Sequence, residues 1–251
     1  MIEIFLLSIV QGITEFIPVS SSAHLILISN LLSFNSENLI IDLSLHFGSL
    51  AAIIFYFKKE ISDFLGNKDL FFLIIISSLP TLLCGFLLIK LDLIDNLRNI
   101  KIIGWTTLVF AFLLYLSDLS PTKNKISSDF NLKSALIIGL LQIFALVPGV
   151  SRSGITISVS RFLEFERSEA AKISFWLSIP TLGTIGIYNM QKLIITNNIT
   201  ITMDNYFAII MSFIFSLITI KYFIKYLKKF TLLLFVFYRI ILGTIILIYV
   251  Y

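Results

Sequence analysis

The sequence predicts an all-α, polytopic integral membrane protein with an inverted-topology repeat, each half a re-entrant helix pair plus three transmembrane helices. Three observations predict it. Hydrophobic residues fill 57% of the 251 positions and charged residues 14%, against roughly 45–50% and 25% in soluble domains. A mean hydropathy of +0.97 accordingly places most of the chain in lipid. Six apolar runs reach span length, and two further apolar stretches are each broken midway by Pro or Gly and a cluster of serines.

From the N-terminus, Met1 to Val10 is apolar but carries Glu3 and no Lys or Arg, a poor match to a secretory signal, so it is kept in the fold. The first broken stretch, Ile2–Leu32, is followed by spans at Leu39–Phe57, Leu70–Ile89 and Ile102–Leu116. The second, Ser134–Leu163, is followed by Ala170–Met190, Tyr206–Tyr222 and Phe230–Tyr251. A spanning helix takes roughly 17–25 residues. Irregular backbone at membrane depth survives only where protein or a water-filled cavity satisfies its polar groups, so each broken stretch reads as a helix pair that dips in and returns. The lone Cys84 excludes an intramolecular disulfide.

An offset of 131 residues lays the second half on the first: Gln11 falls on Gln142, Val19 on Val150, Ser20 on Ser151, Ser22 on Ser153 and Leu32 on Leu163, and the three spans follow in order. The expected organisation is therefore one membrane domain over 1–251, with repeat one at about 1–120 and repeat two at about 132–251.

One set of loops holds 13 cations (Lys58, Lys59, Lys68, Lys123, Lys125, Lys133, Arg161, Arg167, Lys172, Lys221, Lys225, Lys228 and Lys229), whereas the other holds 4, Lys90, Arg98, Lys101 and Lys192. The richer side is expected to be cytoplasmic. Three spans separate the two broken stretches, an odd number, so one pair enters from each face and the two tips meet near the midplane. The net charge of +4 thus reads as a topology signal and as contact with anionic membrane lipids, for which the Lys221–Lys229 cluster is an anchor. No Lys/Arg cluster interleaves with stackable aromatics, so no nucleic-acid partner is expected.

Polar residues at membrane depth point to chemistry. In the first tip Gln11 and Glu15 share a helix face, Pro18 breaks the helix, and Ser20, Ser21 and Ser22 precede a fresh helix expected near Ala23, with His24 following. The second tip runs Pro148-Gly149-Val150-Ser151-Arg152-Ser153-Gly154, with Thr156 beyond. Serine caps, free N–H groups and the positive ends of two helix dipoles suit an anion. Arg152 adds a planar fork that holds two phosphate oxygens and cannot discharge. The set suits a phosphate or diphosphate on a membrane-resident carrier.

Gln11-x-x-x-Glu15 running into Pro18-Val-Ser-Ser-Ser-Ala-His24, together with Pro148-Gly-Val-Ser-Arg-Ser-Gly154, resembles the paired signatures of the bacterial undecaprenyl-diphosphate phosphatase family, the bacitracin-resistance proteins. The resemblance extends to Asp42-Leu-Ser-Leu-His46-Phe-Gly48 and the Tyr238-Arg239 pair, and so covers essentially the whole chain. It implies hydrolysis of undecaprenyl diphosphate to the monophosphate and inorganic phosphate, which recycles the lipid carrier of cell-wall synthesis, at the bacterial plasma (inner) membrane. By position it implies catalytic roles for Glu15, Ser21, His24 and Arg152, with Gln11, Ser20, Ser22, Gly149, Ser151, Ser153 and Thr156 contacting the substrate. It also implies a divalent cation, Mg²⁺ or Ca²⁺, with Glu15 as a ligand. Many members carry Glu where this chain has Gln11, so here the diphosphate oxygens would supply most ligands.

The expected mechanism is displacement at the terminal phosphorus, by Ser21 with His24, three residues on, as its base, or by water, with Glu15 as the other candidate base. Asp42 and His46 read either as supports of the site or as a helix–helix contact. Arg239 is expected to snorkel or to pair with another helix. A secondary transporter or flippase for a phosphorylated lipid or small anion is the rival reading, since it would share the broken helices and Arg152 but has no use for Ser21, His24 and Glu15 together. A scaffold without substrate leaves the polar tips unexplained. The residue pattern does not set an oligomeric state, and a homodimer is compatible with it.

Overall fold

The computed structural model describes residues 1–32, 39–66, 68–93, 97, 99–195 and 201–251, and among these residues it is helical with no β-strand. The helices are α1 Ile2–Thr14, α2 Ser21–Leu32, α3 Leu39–Tyr56, α4 Lys58–Gly66, α5 Lys68–Lys90 and α6 Ile100–Asp118, then α7 Ile126–Asp129, α8 Leu132–Gln142, α9 Arg152–Phe162, α10 Arg167–Ile195, α11 Met203–Leu227 and α12 Leu233–Val250. The expected Arg98 lies outside the described residues, as does the loop that joins α10 to α11 at 196–200.

Six helices, α3, α5, α6, α10, α11 and α12, are long and apolar enough to cross a membrane, which makes this a multi-pass membrane protein. The four helices of the broken stretches have 13, 12, 11 and 11 residues. At 1.5 Å per residue each spans roughly 16–20 Å, well short of a bilayer core of about 30 Å. Observed spans overrun the expected ones where polar residues extend a helix past the hydrocarbon: α10 adds Arg167 to Glu169 at its start, and α11 runs on to Leu227 through Lys221 and Lys225. The amphipathic α4, which begins at Lys58, is too short and too polar to register as a span.

Pro80 and Pro180 lie inside α5 and α10. Each removes one backbone bond, and nearby hydroxyls bond backbone carbonyls of the same turn: Ser78 Oγ donates to Ile74 O at 2.9 Å, and Thr181 Oγ1 to Leu177 O at 2.9 Å.

Small residues set how closely the helices approach, as lipid leaves no hydrophobic drive between them. A Cβ on Gly48 of α3 would stand 2.4 Å from Ile209 O of α11, and one on Gly139 of α8 would stand 2.4 Å from Ser77 O of α5. Serines finish the α3–α11 seam: Ser212 Oγ donates to Leu45 O at 2.7 Å and Ser216 Oγ to Ser49 Oγ at 3.1 Å. Further packed pairs are α1 with α11, α5 with α8, α6 with α12, and α10 with α3, α5 and α9. The buried core gathers Phe16, Phe57, Phe175, Phe223 and Phe235 around α10. Phe71, Phe72, Trp105, Phe112 and Phe237 are exposed on the outside of the spans, as a lipid-facing belt requires.

One polar knot ties the end of this bundle. Buried Asp118, at the end of α6, accepts from Arg167 Nε at 2.5 Å and from the Leu232 N–H ahead of α12 at 2.9 Å, with Arg161 Nε at 3.9 Å. Arg161 is itself fully buried and donates to the carbonyls of Phe165 (2.5 Å), Pro121 (3.2 Å) and Ser120. Removing the carboxylate would leave a buried guanidinium without its counter-charge. Asp118→Ala is therefore expected to lose about 3–5 kcal/mol of stability, read as a lower unfolding temperature in detergent; an unchanged temperature would show that the knot contributes nothing.

Candidate active site

Both tips are built the same way. Ser20 and Ser151, related by the 131-residue offset, take left-handed backbone angles, φ 76° and 73°. Such angles cost a non-glycine residue about 1–3 kcal/mol and persist only where the surroundings fix them. Each hydroxyl caps the helix that follows: Ala23 N donates to Ser20 Oγ at 3.4 Å, and Gly154 N to Ser151 Oγ at 3.0 Å. Each also sits beside the hydroxyl two residues on, Ser22 at 3.3 Å and Ser153 at 3.1 Å. α2 begins at Ser21, two residues earlier than the expected start near Ala23, because the cap is Ser20. Gly149, φ 91°, makes the turn before the second cap, and a Cβ there would meet Thr106 Oγ1.

The tips touch. Ser153 Oγ donates to Ile17 O at 2.9 Å, and Arg152 Nη2 reaches Glu15 Oε1 at 2.8 Å while Nη1 donates to Ser174 O at 2.8 Å. Glu15 Oε2 accepts from Ser21 Oγ at 2.7 Å and from Gln11 Nε2 at 3.1 Å. Glu15 is buried, and Arg152 is 14% exposed, so this ion pair lies in low dielectric where its attraction is strong. Above it is a cavity of about 70 Å³ lined by Thr14, Glu15, Ser20, Ser21, Ser22, Ala145, Ser151, Arg152 and Ser153. Two helix starts, an arginine, a carboxylate and a ring of hydroxyls therefore converge on one small polar space. It has room for a phosphoryl group and none for a prenyl chain.

Of the residues expected at the site, Glu15, Ser20, Ser21, Ser22, Ser151, Arg152 and Ser153 line the cavity, with Gln11 behind Glu15. Gly149, Thr156 and His24 do not line it. Thr156 Oγ1 instead bonds Arg152 O and Ser174 Oγ, both at 2.8 Å, and so braces the arginine's helix. The expected pairing of Ser21 with His24 is not formed. His24 Nδ1 donates to Ser20 O at 2.7 Å, and Nε2 is 2.5 Å from Tyr238 Oη, so neither nitrogen faces Ser21, whose proton points at Glu15. His46 Nδ1 donates to its own helix at Asp42 O, 2.7 Å away.

Arg239 corrects the expectation of a snorkelling side chain: it is fully buried and turned inward, with its guanidinium against the backbone of both tips. Ser174 and Thr14 were not legible beforehand, since a hydroxyl inside an apolar helix has no sequence mark that separates a site wall from ordinary packing.

A family model described as the bacitracin resistance protein BacA matches residues 4–245. The chain is 47% identical to an undecaprenyl-diphosphatase of Pelagibacter ubique (strain HTCC1062), covering 100% of this chain and 98% of that protein. It is 39% identical to an undecaprenyl-diphosphatase of Jannaschia sp. (strain CCS1), over 99% and 98%, and 36% identical to one of Ruegeria pomeroyi, over 98% and 97%.

The Glu15 carboxylate competes with any incoming anion for Arg152. Glu15→Gln keeps the shape and removes the competition, and inorganic pyrophosphate is expected to bind the purified protein about tenfold more tightly, roughly 1.4 kcal/mol by titration calorimetry. Weaker binding would mean that the carboxylate supports the anion, through a cation, rather than opposing it.

Proposed function

Given that the chain belongs to the BacA family of bacitracin resistance proteins and hydrolyses undecaprenyl diphosphate, we propose that Ser21 is the nucleophile and Glu15 its base. The 2.7 Å bond from Ser21 Oγ to Glu15 Oε2 carries this reading. The anhydride cleaved is the one that links the two phosphates of the lipid carrier, and the activity underlies cell-wall synthesis and bacitracin resistance. No observation favours transport without cleavage, for which the Ser21–Glu15 bond has no use.

The ion pair supplies the order of events. An arriving terminal phosphate draws Arg152 from Glu15 onto its own oxygens, helped by the N–H groups at the starts of α2 and α9. Glu15, released from the guanidinium, becomes a better base and takes the Ser21 proton. Oγ then bonds to phosphorus as the bridging P–O bond breaks, and its electron pair leaves on undecaprenyl phosphate. Water, deprotonated in turn, splits the phosphoserine to inorganic phosphate and restores Ser21. His24 and Tyr238 act on geometry, since their bond and ring stacking hold α2 against α12.

A divalent cation fits as far as the donors allow. Gln11 Oε1 is buried without a hydrogen-bond partner beside Glu15, and turning the amide over would set it next to the carboxylate, a pair of hard oxygen ligands. Among the described residues no group of three acidic, His or Cys side chains could hold a metal, so the substrate would complete the shell. When bound, Mg²⁺ or Ca²⁺ would neutralise phosphoryl charge.

The two halves further read as inverted repeats with the tips meeting from opposite faces of the plasma membrane. Support comes from the matched serine angles and caps. Exchanging the halves also maps α1–α11 packing onto α8–α5, α3–α11 onto α10–α5, and α6–α12 onto itself.

The mechanism is tested by phosphate release from undecaprenyl diphosphate in detergent, with acid-quenched ³²P trapping. Ser21→Ala and Glu15→Gln are each expected to lower kcat by about 10³ or more, and label is expected on wild-type protein alone. EDTA should slow release and Mg²⁺ or Ca²⁺ restore it. Near-native turnover by Ser21→Ala would replace the phosphoserine route with direct water attack. For topology, single cysteines at Lys123 and Lys192 in a Cys84→Ala background are expected to label from opposite faces of sealed vesicles; labelling from the same face would end the inverted arrangement.

A further inference from the structure

Arg239 is the largest unspent charge in the fold. It lies midway along α12, is fully buried, and takes part in none of the ion pairs found among the described residues. A guanidinium in that position is costly unless its N–H groups are satisfied. Its donors all go to main-chain carbonyls: Nε to Thr107 O at 3.4 Å, Nη1 to Val150 O at 3.0 Å and Pro18 O at 3.2 Å, and Nη2 to Gly149 O at 2.9 Å. One side chain thus bridges α6 and the irregular backbone of both tips. A Cβ on Gly154, in the first turn of α9, would lie 2.9 Å from Nη1, so the arginine also sits directly against the helix start that faces the cavity.

We infer that Arg239 is a positioning residue for the phosphatase reaction, which gathers the tip carbonyls on its own side so that the tips' N–H groups are left for the phosphate. The peptide bonds are trans, and in a trans peptide the C=O of one residue and the N–H of the next point in opposite directions. The Val150 carbonyl is held by Arg239, so the Ser151 N–H is directed away from it, and Ser151 is a cavity residue. The Pro18 and Gly149 carbonyls, which would otherwise present negative ends near an anion, are turned to the same guanidinium. Its positive charge, uncancelled by any carboxylate, adds to the field that attracts the diphosphate. Arg152 then touches the substrate, whereas Arg239 shapes and charges the floor beneath it.

The inference rests on the phosphatase reading, and the experiment separates the two. Wild type, Arg239→Lys, Arg239→Met and the core variant Ile138→Ala are compared in detergent for kcat and KM on undecaprenyl diphosphate. The rise in unfolding temperature on adding inorganic pyrophosphate is measured alongside. Arg239→Met is expected to lose about a hundredfold in kcat/KM and to lose the pyrophosphate-induced rise. Arg239→Lys, which keeps the charge but not the fork, is expected to fall between it and wild type. Ile138→Ala should lower the basal temperature and leave both readouts near wild type. Arg239 variants that behave like Ile138→Ala, destabilised yet fully responsive to pyrophosphate, would overturn the inference. Should Arg239→Met not fold, Arg239→Lys and Gly154→Ala, whose added Cβ presses on the same guanidinium, decide it by the same readouts. A wild type that binds pyrophosphate but releases no phosphate from the lipid would count against the phosphatase reading instead.

Discussion

Two helices broken at membrane depth are the constraint from which the rest of the structure follows. Each break frees N–H and C=O groups that lipid cannot satisfy, and at several kcal/mol apiece such groups must find partners inside the protein. The carbonyls find them in hydroxyls and in Arg239: Ile17 O accepts from Ser153, Pro148 O from Thr106, and Pro18, Gly149 and Val150 from the arginine. The tips are thereby stitched to each other and to α12. Several of the N–H groups are served by Ser20 and Ser151, whose left-handed angles bring each hydroxyl onto the turn it caps. The anion site is what remains of a backbone problem after its acceptor half has been solved.

A site of that kind faces an opposite difficulty when empty, because positive potential in a low-dielectric cavity is itself costly. The Glu15–Arg152 pair meets it. Breaking a buried pair is expensive and forming one gains little, so the pair works as a charge store: the arginine is held in place and screened until an anion offers it better oxygens. The same exchange uncovers the carboxylate that Ser21 already contacts. Binding and activation of the nucleophile are therefore one event, which keeps the base quiet while the site holds no substrate.

Much of this was legible from residue types. Span number, the two interruptions and the cavity-lining Glu15, Ser21 and Arg152 follow from hydropathy and from polar residues in places where lipid penalises them. Spacing misled at His24. Three residues on a helix bring two side chains to one face only if both lie inside the helix, and Ser21 stands in the first turn, directly after a capping residue of left-handed backbone, where its hydroxyl swings toward α1. Arg239 was misjudged for a related reason. Snorkelling assumes that the nearest relief for a charge is water, but here the nearest acceptors were carbonyls on segments more than 80 residues away in sequence, and no local pattern records them. Ser174 likewise looks like any small hydroxyl on a packed span.

The offset of 131 residues also shows where the halves part company. Caps, Gln11 and Gln142, and the valines before the caps match, but Glu15 falls on Leu146, His24 on Ile155 and Ser21 on Arg152. The shared features build backbone, and the unshared ones do chemistry. A symmetric site would place two nucleophiles or two arginines across the cavity, and neither serves a displacement at phosphorus, where electron density enters on one side and negative charge has to be held on the other. With Ser21 and Arg152 at equivalent positions of opposed helices, one tip supplies the attacking oxygen and its base while the other supplies the cation. Duplication gives the two helix starts and their common aim, and divergence at a handful of side chains turns a pseudo-symmetric anion site into one with a direction.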